Sequence, residues 1–96
     1  MKIFDKAQWH IDAGEDDRIV IEKFQLVFRF LEMKNLLSED GQEIFVLGID
    51  SSISLNEQTV TESGSAFLDK YYDEVINCGV DLIAQELEKR YNQFVS

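Results

Sequence analysis

Several residue types that usually carry recognisable chemistry are scarce in this chain. It has one cysteine, one histidine and no proline, and its five glycines are isolated from one another. A single cysteine excludes an internal disulfide, and one cysteine with one histidine supplies too few ligands for a zinc site. Isolated glycines exclude a glycine-rich phosphate loop. We therefore expect no cofactor and no metal, and we expect Cys78 to be an inert buried thiol.

Long hydrophobic runs are also missing. No apolar stretch reaches the roughly 18 residues that a membrane-spanning helix needs, and the first residues do not have the pattern of a secretory signal. The sequence therefore predicts a soluble, cytoplasmic protein. The 96 residues, of which 45% are hydrophobic, are enough for one core and too few for two. We expect one domain, residues 1–96.

Basic residues are outnumbered two to one. The chain has 19 acidic and 9 basic residues, for a net charge of −10. Residues 49–96 carry nine acidic and three basic side chains, so the second half is the more acidic. Such a protein repels nucleic acid and anionic membranes and attracts basic partners. The plainer interpretation is that the charge only keeps the protein in solution.

Large hydrophobic residues are concentrated between Arg18 and Leu37, a stretch without glycine or proline. At about 100° per residue its charged and amide side chains fall mostly in one narrow stripe, while apolar residues cover most of the remaining circumference. A helix with so narrow a polar stripe needs partners on at least two sides. The pattern predicts a central helix, with Asp16 or Asp17 as its N-cap.

The rest of the chain predicts further helices joined by loops. Residues 1–17 look irregular or only briefly structured, residues 42–49 fit either a short helix or a buried strand, and residues 50–58 look like a connecting loop. We favour the short helix, because a single strand would lack a pairing partner. The apolar stripe changes phase past Gly79, which predicts a break at Cys78-Gly79. Gly64 indicates either close approach of another helix or merely a weak spot near the N-terminus of its own helix. The predicted fold class is all-α: a compact single-domain helical bundle with three main helices, at about 17–37, 60–78 and 80–94, and a possible short helix near 42–48.

Trp9 and His10 form the one pair that could indicate catalysis. A histidine near Asp5 and Asp12 could act as an acid or a base. No nucleophile or oxyanion-binding group accompanies it, so we favour a structural role in which Trp9 closes the end of the core and His10 bridges backbone groups. An enzyme that uses His10 is the least favoured alternative.

Three stretches of the chain resemble a family of small bacterial proteins of unknown activity. Phe4–His10 is similar to a Tyr-Asp-x-Ala-x-Trp-His opening, with Phe4 in place of tyrosine. Phe30–Ser38 is similar to a Phe-Leu-x-Trp-Leu-x-x-x-x-Leu-x-Ser segment, with Met33 in the tryptophan position. Val60–Tyr72 is similar to Leu-x-Glu-x-Gly-x-x-Phe-x-x-x-Tyr-Tyr, the most specific of the three. The chain lacks the proline-rich turn that comes after the histidine in that pattern.

Members of that family look like immunity proteins of bacterial toxin systems, including contact-dependent growth inhibition. The resemblance implies an antitoxin that binds a cognate toxin domain, and a basic nuclease would suit the acidic charge. Such a protein would occlude the substrate cleft of the nuclease with an acidic surface. The predicted toxin-binding residues are acidic positions of both halves of the chain: Asp69, Asp73, Glu74, Glu57, Glu62, Asp12, Glu15 and Asp16.

A second function class stays open beside the immunity protein. A general protein-binding module or small regulatory subunit would show an exposed apolar patch and a stable homodimer. For each predicted acidic residue, a solvated helix face or a helix cap is the structural alternative.

Overall fold

The computed structural model describes all 96 residues and contains five helices and two short strands. In chain order these are β1 (Ile3–Lys6), α1 (Ala7–Asp12), α2 (Asp17–Met33), α3 (Glu39–Leu47), β2 (Ser54–Asn56), α4 (Glu62–Ile76) and α5 (Ile83–Val95). The fold is mostly helical, but the prediction of an all-α bundle with three main helices is wrong in its detail.

Helix α2 is the central helix that the sequence predicts. It packs against α1, α3 and α5, and buries Val20, Phe24, Val27, Phe28, Phe30 and Leu31. Asp16 is its N-cap, since the Asp16 carboxylate accepts hydrogen bonds from the backbone amides of Arg18 and Ile19. That prediction is confirmed.

The C-terminus of α2 lies four residues before the predicted end at position 37. Asn35 adopts a left-handed conformation with φ 58°, which stops the helix. The amide of Asn35 then donates to the carbonyl of Glu32, and the amide of Leu36 donates to the carbonyl of Leu31 at 2.8 Å. This pair of bonds satisfies the last carbonyls of the helix, and the chain turns away with Leu36 and Leu37 buried.

A two-stranded antiparallel sheet corrects the all-α prediction. Strand β1 pairs with β2, with Ile3 opposite Asn56 and Lys6 opposite Ser54, and with an irregularity between Ile3 and Asp5. Residues 1–17 contain one short strand and one short helix, which agrees with the brief structure that the sequence allowed there, and the predicted loop at 50–58 contains a strand. The partner of β2 lies about fifty residues earlier in the sequence, where no periodic pattern reveals it.

The remaining helices agree with the sequence in place and differ in their bounds. Residues 42–47 do lie in a helix, with Gly48 as its C-cap, but α3 begins earlier, at Glu39 after the N-cap Ser38. Helices α4 and α5 are separated at Asn77–Leu82, which confirms the predicted break at Cys78-Gly79. Thr61 caps α4, and Gly64 lies so close to Leu36 that an added Cβ would come within 2.7 Å of the Leu36 carbonyl oxygen.

The core is closed by aromatic rings from three helices. Phe30 of α2, Phe67 of α4 and Tyr91 of α5 lie with ring centroids 5.6–6.0 Å apart, and Phe94 packs on Phe67 at 5.5 Å. Cys78 lies outside this core and is only half-buried, so its predicted burial is wrong. None of the helices is both long and apolar enough to cross a membrane.

Candidate functional site

An open groove lies between helix α3 and the chain segment 50–59, and we call it the α3 groove. It encloses about 630 Å³, within the range of volumes of ligand sites. Its walls are polar or acidic at most positions. It is lined by Asp40, Glu43, Ile44, Leu47, Gly48, Asp50, Ser52, Ile53, Ser54, Asn56, Gln58 and Thr59.

One wall of the α3 groove is a single stripe of α3. Asp40, Glu43, Ile44 and Leu47 follow the i, i+3, i+4, i+7 spacing that places residues on one face of a helix. The two acidic residues come first and the two apolar ones come after them. Leu47 and its neighbour Val46 are 79% and 84% exposed, the two highest values among the large hydrophobic residues. Ile44 packs against the hydrophobic core, whereas the stripe ends at the exposed Leu47, which with Val46 forms an apolar tip.

Helix α3 is held in this position by its first turn. Ser38 accepts a hydrogen bond from the amide of Gly41 and donates one to the carbonyl of Gln58 at 2.5 Å. Gly41 lies directly against Thr59, since a Cβ on Gly41 would fall 2.0 Å from the Thr59 carbonyl oxygen. Only glycine permits so close an approach of a helix to a neighbouring backbone. The first turn of α3 is thus fixed to the opposite wall of the groove.

The opposite wall consists of two tight turns joined by β2. The Asp50 carboxylate accepts hydrogen bonds from the Ser52 hydroxyl at 2.5 Å and the Ser52 amide at 2.9 Å, and these bonds lower its pKa. In the second turn the buried Thr59 hydroxyl donates to the carbonyl of Asn56 and accepts from its amide. Asp50 therefore presents a fixed negative charge at the rim of the groove. No group of histidine, cysteine, aspartate or glutamate side chains is arranged to hold a metal ion.

The α3 groove belongs to a part of the chain without any basic residue. Between Lys34 and Lys70 the sequence has no lysine, arginine or histidine but seven carboxylates: Glu39, Asp40, Glu43, Asp50, Glu57, Glu62 and Asp69. All seven are exposed. Sequence reasoning missed the three that line the groove, Asp40, Glu43 and Asp50. The absence of any basic residue between Lys34 and Lys70 was the signal that could have identified them.

The acidic residues predicted on α4 form an exposed stripe. Glu62, Asp69 and Asp73 lie at spacings of seven and four residues, within about 40° of one another around the helix. Asp69 pairs with Lys2, and Glu74, off this stripe, lies 3.4 Å from Arg90. Glu62 and Asp73 make no side-chain ion pair. We call Glu62, Asp69 and Asp73 the α4 stripe.

Contacts within the chain connect Glu57 to both the α3 groove and the α4 stripe. It sits in the turn between Asn56 and Gln58, which both line the groove. Its amide donates to the carbonyl of Lys2, and the Lys2 ammonium pairs with Asp69. The predicted residues Glu57 and Asp69 are therefore both linked to Lys2.

The three predicted residues near the N-terminus have local partners. Asp12 accepts a hydrogen bond from Gln8 at 2.8 Å, Glu15 lies 2.7 Å from His10, and Asp16 caps α2. All three are exposed. The capping role considered for Asp16 is confirmed, and toxin binding by these residues stays a prediction.

His10 belongs to a hydrogen-bonded cluster that joins the sheet to α1 and α4. Its Nε2 lies 2.6 Å from the carboxylate of buried Asp5, which also accepts a 2.6 Å hydrogen bond from the Tyr72 hydroxyl. Its Nδ1 faces Glu15. Burial lowers the pKa of His10, but the hydrogen bonds to Asp5 and Glu15 outweigh burial and raise it above 6.5. Burial first, and the Asp5 charge second, raises the pKa of Tyr72 well above 10.

This cluster stabilises the fold through an imidazolium between two carboxylates. Both ring nitrogens of His10 already have a partner, and the narrow cleft beside it, next to Lys23 and Phe24, has no room for a water molecule. The prediction that His10 bridges backbone groups is wrong, since its partners are side chains. Trp9 is 52% exposed and stacks near Lys6, so it does not close the core. Catalysis by His10 stays an untested hypothesis.

The chain forms a small, mostly helical domain with exposed carboxylates in the α3 groove and along the α4 stripe. Comparison of the chain with models of protein families, with curated proteins and with solved structures finds no match. A function for this chain must therefore be inferred from the arrangement of its own residues.

Proposed function

We propose that this protein is an immunity protein that neutralises a basic bacterial toxin, by covering the toxin's substrate cleft with its acidic face. The observation that carries the proposal is the run of seven exposed carboxylates, without one basic residue, between Lys34 and Lys70. The resemblance of Phe4–His10 and Val60–Tyr72 to proteins of toxin systems supports the same function.

The mechanism that we propose is occlusion. A nuclease must hold phosphates, so its cleft is positive, and an acidic protein surface can occupy the place of the nucleic acid. The acidic surface would consist of the α4 stripe with Glu57 and Glu74, and it would extend to Asp40, Glu43 and Asp50 of the α3 groove. Asp12, Glu15 and Asp16 would be a further extension. Stable inhibition needs an interface of roughly 1,600 Å² in total.

The experiment that tests this function is co-expression with the toxin domain encoded by a neighbouring gene. Cells should survive only when this protein is present, and a one-to-one complex should purify. Cell death despite well-expressed protein, or failure of the two to associate, would contradict the proposal.

A variant series then tests whether the acidic face is responsible. Glu62→Gln with Asp73→Asn removes two charges that have no ion pair, and should weaken the complex at low salt with less effect at high salt. Glu22→Gln with Glu32→Gln removes the same charge from the exposed side of α2 and is the matched control. If both double variants weaken the complex equally, binding depends on the net charge of the protein and not on the position of the α4 stripe.

A general protein-binding module is the second candidate, favoured by the exposed Val46 and Leu47. Exposed apolar residues at the tip of a helix suit a regulatory subunit or a homodimer as well as an inhibitor. Sedimentation of the isolated protein separates these functions. The second candidate would be favoured if the wild-type protein forms a stable homodimer and the double variant Val46→Ser with Leu47→Ser is a monomer.

A further inference from the structure

The α3 groove combines two features that rarely occur together on the surface of a small protein. Its acidic end is formed by Asp40, Glu43 and Asp50, and its apolar tip by Leu47 with Val46 beside it. Neither Val46 nor Leu47 is part of the hydrophobic core or packs against it. Burying either residue against a partner would remove apolar surface from water and so stabilise the complex.

The acidic end selects the charge of the occupant. No basic residue lines the groove, and none occurs between Lys34 and Lys70 in the chain, so no internal cation neutralises these carboxylates. Hydrogen bonds from Ser52 hold Asp50 in its charged form and in one orientation. An occupant that enters this groove without positive charge would leave three carboxylates partly desolvated and unpaired.

The shape and the apolar tip favour arginine over other cations. A guanidinium is planar, donates to carboxylates as a fork and is more weakly hydrated than an ammonium, so its flat faces tolerate contact with Ile44 and Leu47. Arginine is also enriched among the residues that dominate protein interfaces. The volume of about 630 Å³ accommodates such a side chain together with an apolar neighbour.

We infer that the α3 groove is the anchor site of the complex: an arginine of the basic partner enters between Glu43 and Asp50, and an adjacent apolar side chain of the partner covers Val46 and Leu47. This inference rests on the proposed function for the identity of the partner. It assigns the main contact to α3 and the segment 50–59, and it gives the α4 stripe the role of attracting the partner from a distance.

The two roles predict different kinetics. Exposed charges at the rim of an interface mainly change the association rate and its dependence on salt, whereas residues that fill the interface mainly change the dissociation rate. In the toxin complex, Leu47→Ser should raise the dissociation rate roughly 10- to 30-fold at any salt concentration. Glu62→Gln with Asp73→Asn should slow association at low salt and leave dissociation nearly unchanged.

Leu47→Ser is a clean test because the side chain is 79% exposed, so the variant should fold with an unchanged melting temperature. Glu43→Gln with Asp50→Asn removes the charge of the groove and keeps the shape, and Glu22→Gln with Glu32→Gln is the control of equal charge. The inference is overturned if the dissociation rates of the groove variants equal that of the control.

A second measurement needs no toxin. The probe is the capped tripeptide acetyl-Leu-Arg-Leu-amide at millimolar concentration, with acetyl-Leu-Gln-Leu-amide as its uncharged counterpart, and amide chemical shifts are followed by NMR. We expect saturable shifts confined to residues 40–59 with the arginine peptide, and at least about tenfold weaker binding of the glutamine peptide. No groove shifts, or equal shifts along the α4 stripe, would overturn the inference.

The two experiments separate the inference from the proposed function. Peptide shifts in the groove, together with failure to protect cells from the toxin, would retain the arginine site and reject the immunity function. A stable toxin complex whose dissociation rate does not change in the groove variants would retain the immunity function and reject the arginine site.

Discussion

Tyr72 and Asp5 are joined by a hydrogen bond of 2.6 Å across 67 positions of the sequence, in the interior of the protein. The Tyr72 hydroxyl donates to the Asp5 carboxylate, and the two residues are 4% and 5% exposed. Asp5 also accepts from His10 and from the amide of Lys6. The bond connects β1 to α4 and helps to hold a buried carboxylate that would otherwise be costly.

Removing the Tyr72 hydroxyl should therefore destabilise the protein. Tyr72→Phe leaves Asp5 without one of its donors, and we expect the free energy of unfolding to fall by about 1–3 kcal/mol. Urea denaturation measures it. Tyr71→Phe is the matched control, because Tyr71 is similarly buried and its hydroxyl has no hydrogen-bond partner in the chain; there the change should stay within about 0.5 kcal/mol. Equal losses of unfolding free energy in the two variants would show that the hydrogen bond from Tyr72 to Asp5 does not stabilise the protein.

The imidazolium of His10 should make stability depend on pH near neutrality. Its pKa is raised above 6.5 in the folded protein, so the folded state holds the proton more tightly than the unfolded chain. The stabilisation is complete below pH 6.5 and is lost as the pH rises through the folded-state pKa. The groups facing the ring are Asp5, Glu15, Lys23 and the hydroxyl of Tyr72 by way of Asp5.

Two measurements check this dependence. NMR titration of the His10 ring should give a pKa above 6.5 directly. Urea denaturation of wild type and of His10→Gln, from about pH 5.5 upwards, should show a stability difference that shrinks as the pH rises. A ring pKa at or below 6.5, or a difference that grows with pH, would be inconsistent with an imidazolium between two carboxylates.

The N-cap of the central helix offers a further test. Asp16→Ala removes the carboxylate that accepts from the amides of Arg18 and Ile19, and should cost about 0.5–2 kcal/mol of unfolding free energy. Asp17→Ala changes the charge by the same amount one residue later, where no amide is capped, and should cost less. Thermal or urea unfolding of the pair separates capping from charge, and equal costs would argue for charge alone.

The elements that the sequence predicted correctly are those with a local cause. The α2 helix follows from hydrophobic periodicity and from an aspartate able to cap it, and the break at Gly79 follows from the change of phase. In each case the residues that decide the structure lie within a few positions of it.

The elements that the prediction missed depend on distant partners. Strand β2 has three residues, and its pairing with β1 is visible only when Ile3 and Asn56 are brought together. Burial of Asp5 could not be foreseen, because its donors His10 and Tyr72 come from other elements. The α3 groove is likewise formed by two segments of the chain, of which one was predicted to be a plain loop. Local sequence was enough to predict helices α2, α3, α4 and α5, although not α1, whereas the candidate site depends on tertiary contacts.

Gly41 decides the position of α3, and with it the shape of the groove. An alanine in the interior of a helix is normally about 1 kcal/mol better than glycine. Here the added Cβ would fall 2.0 Å from the carbonyl oxygen of Thr59, a backbone atom that cannot move aside cheaply. We therefore expect Gly41→Ala to lower the free energy of unfolding by about 1–3 kcal/mol.

The matched control for Gly41→Ala is Gly79→Ala. The nearest atom to an added Cβ at Gly79 is the end of the flexible Asp81 side chain, so the effect should stay within about 0.5 kcal/mol. Since α3 must shift to admit the methyl group, Gly41→Ala should also move the amide resonances of residues 39–48 and 56–60, and weaken binding of the arginine peptide. Unchanged or increased stability of Gly41→Ala would mean that α3 does not lie against Thr59, and the groove would then lack the wall on which the arginine site depends.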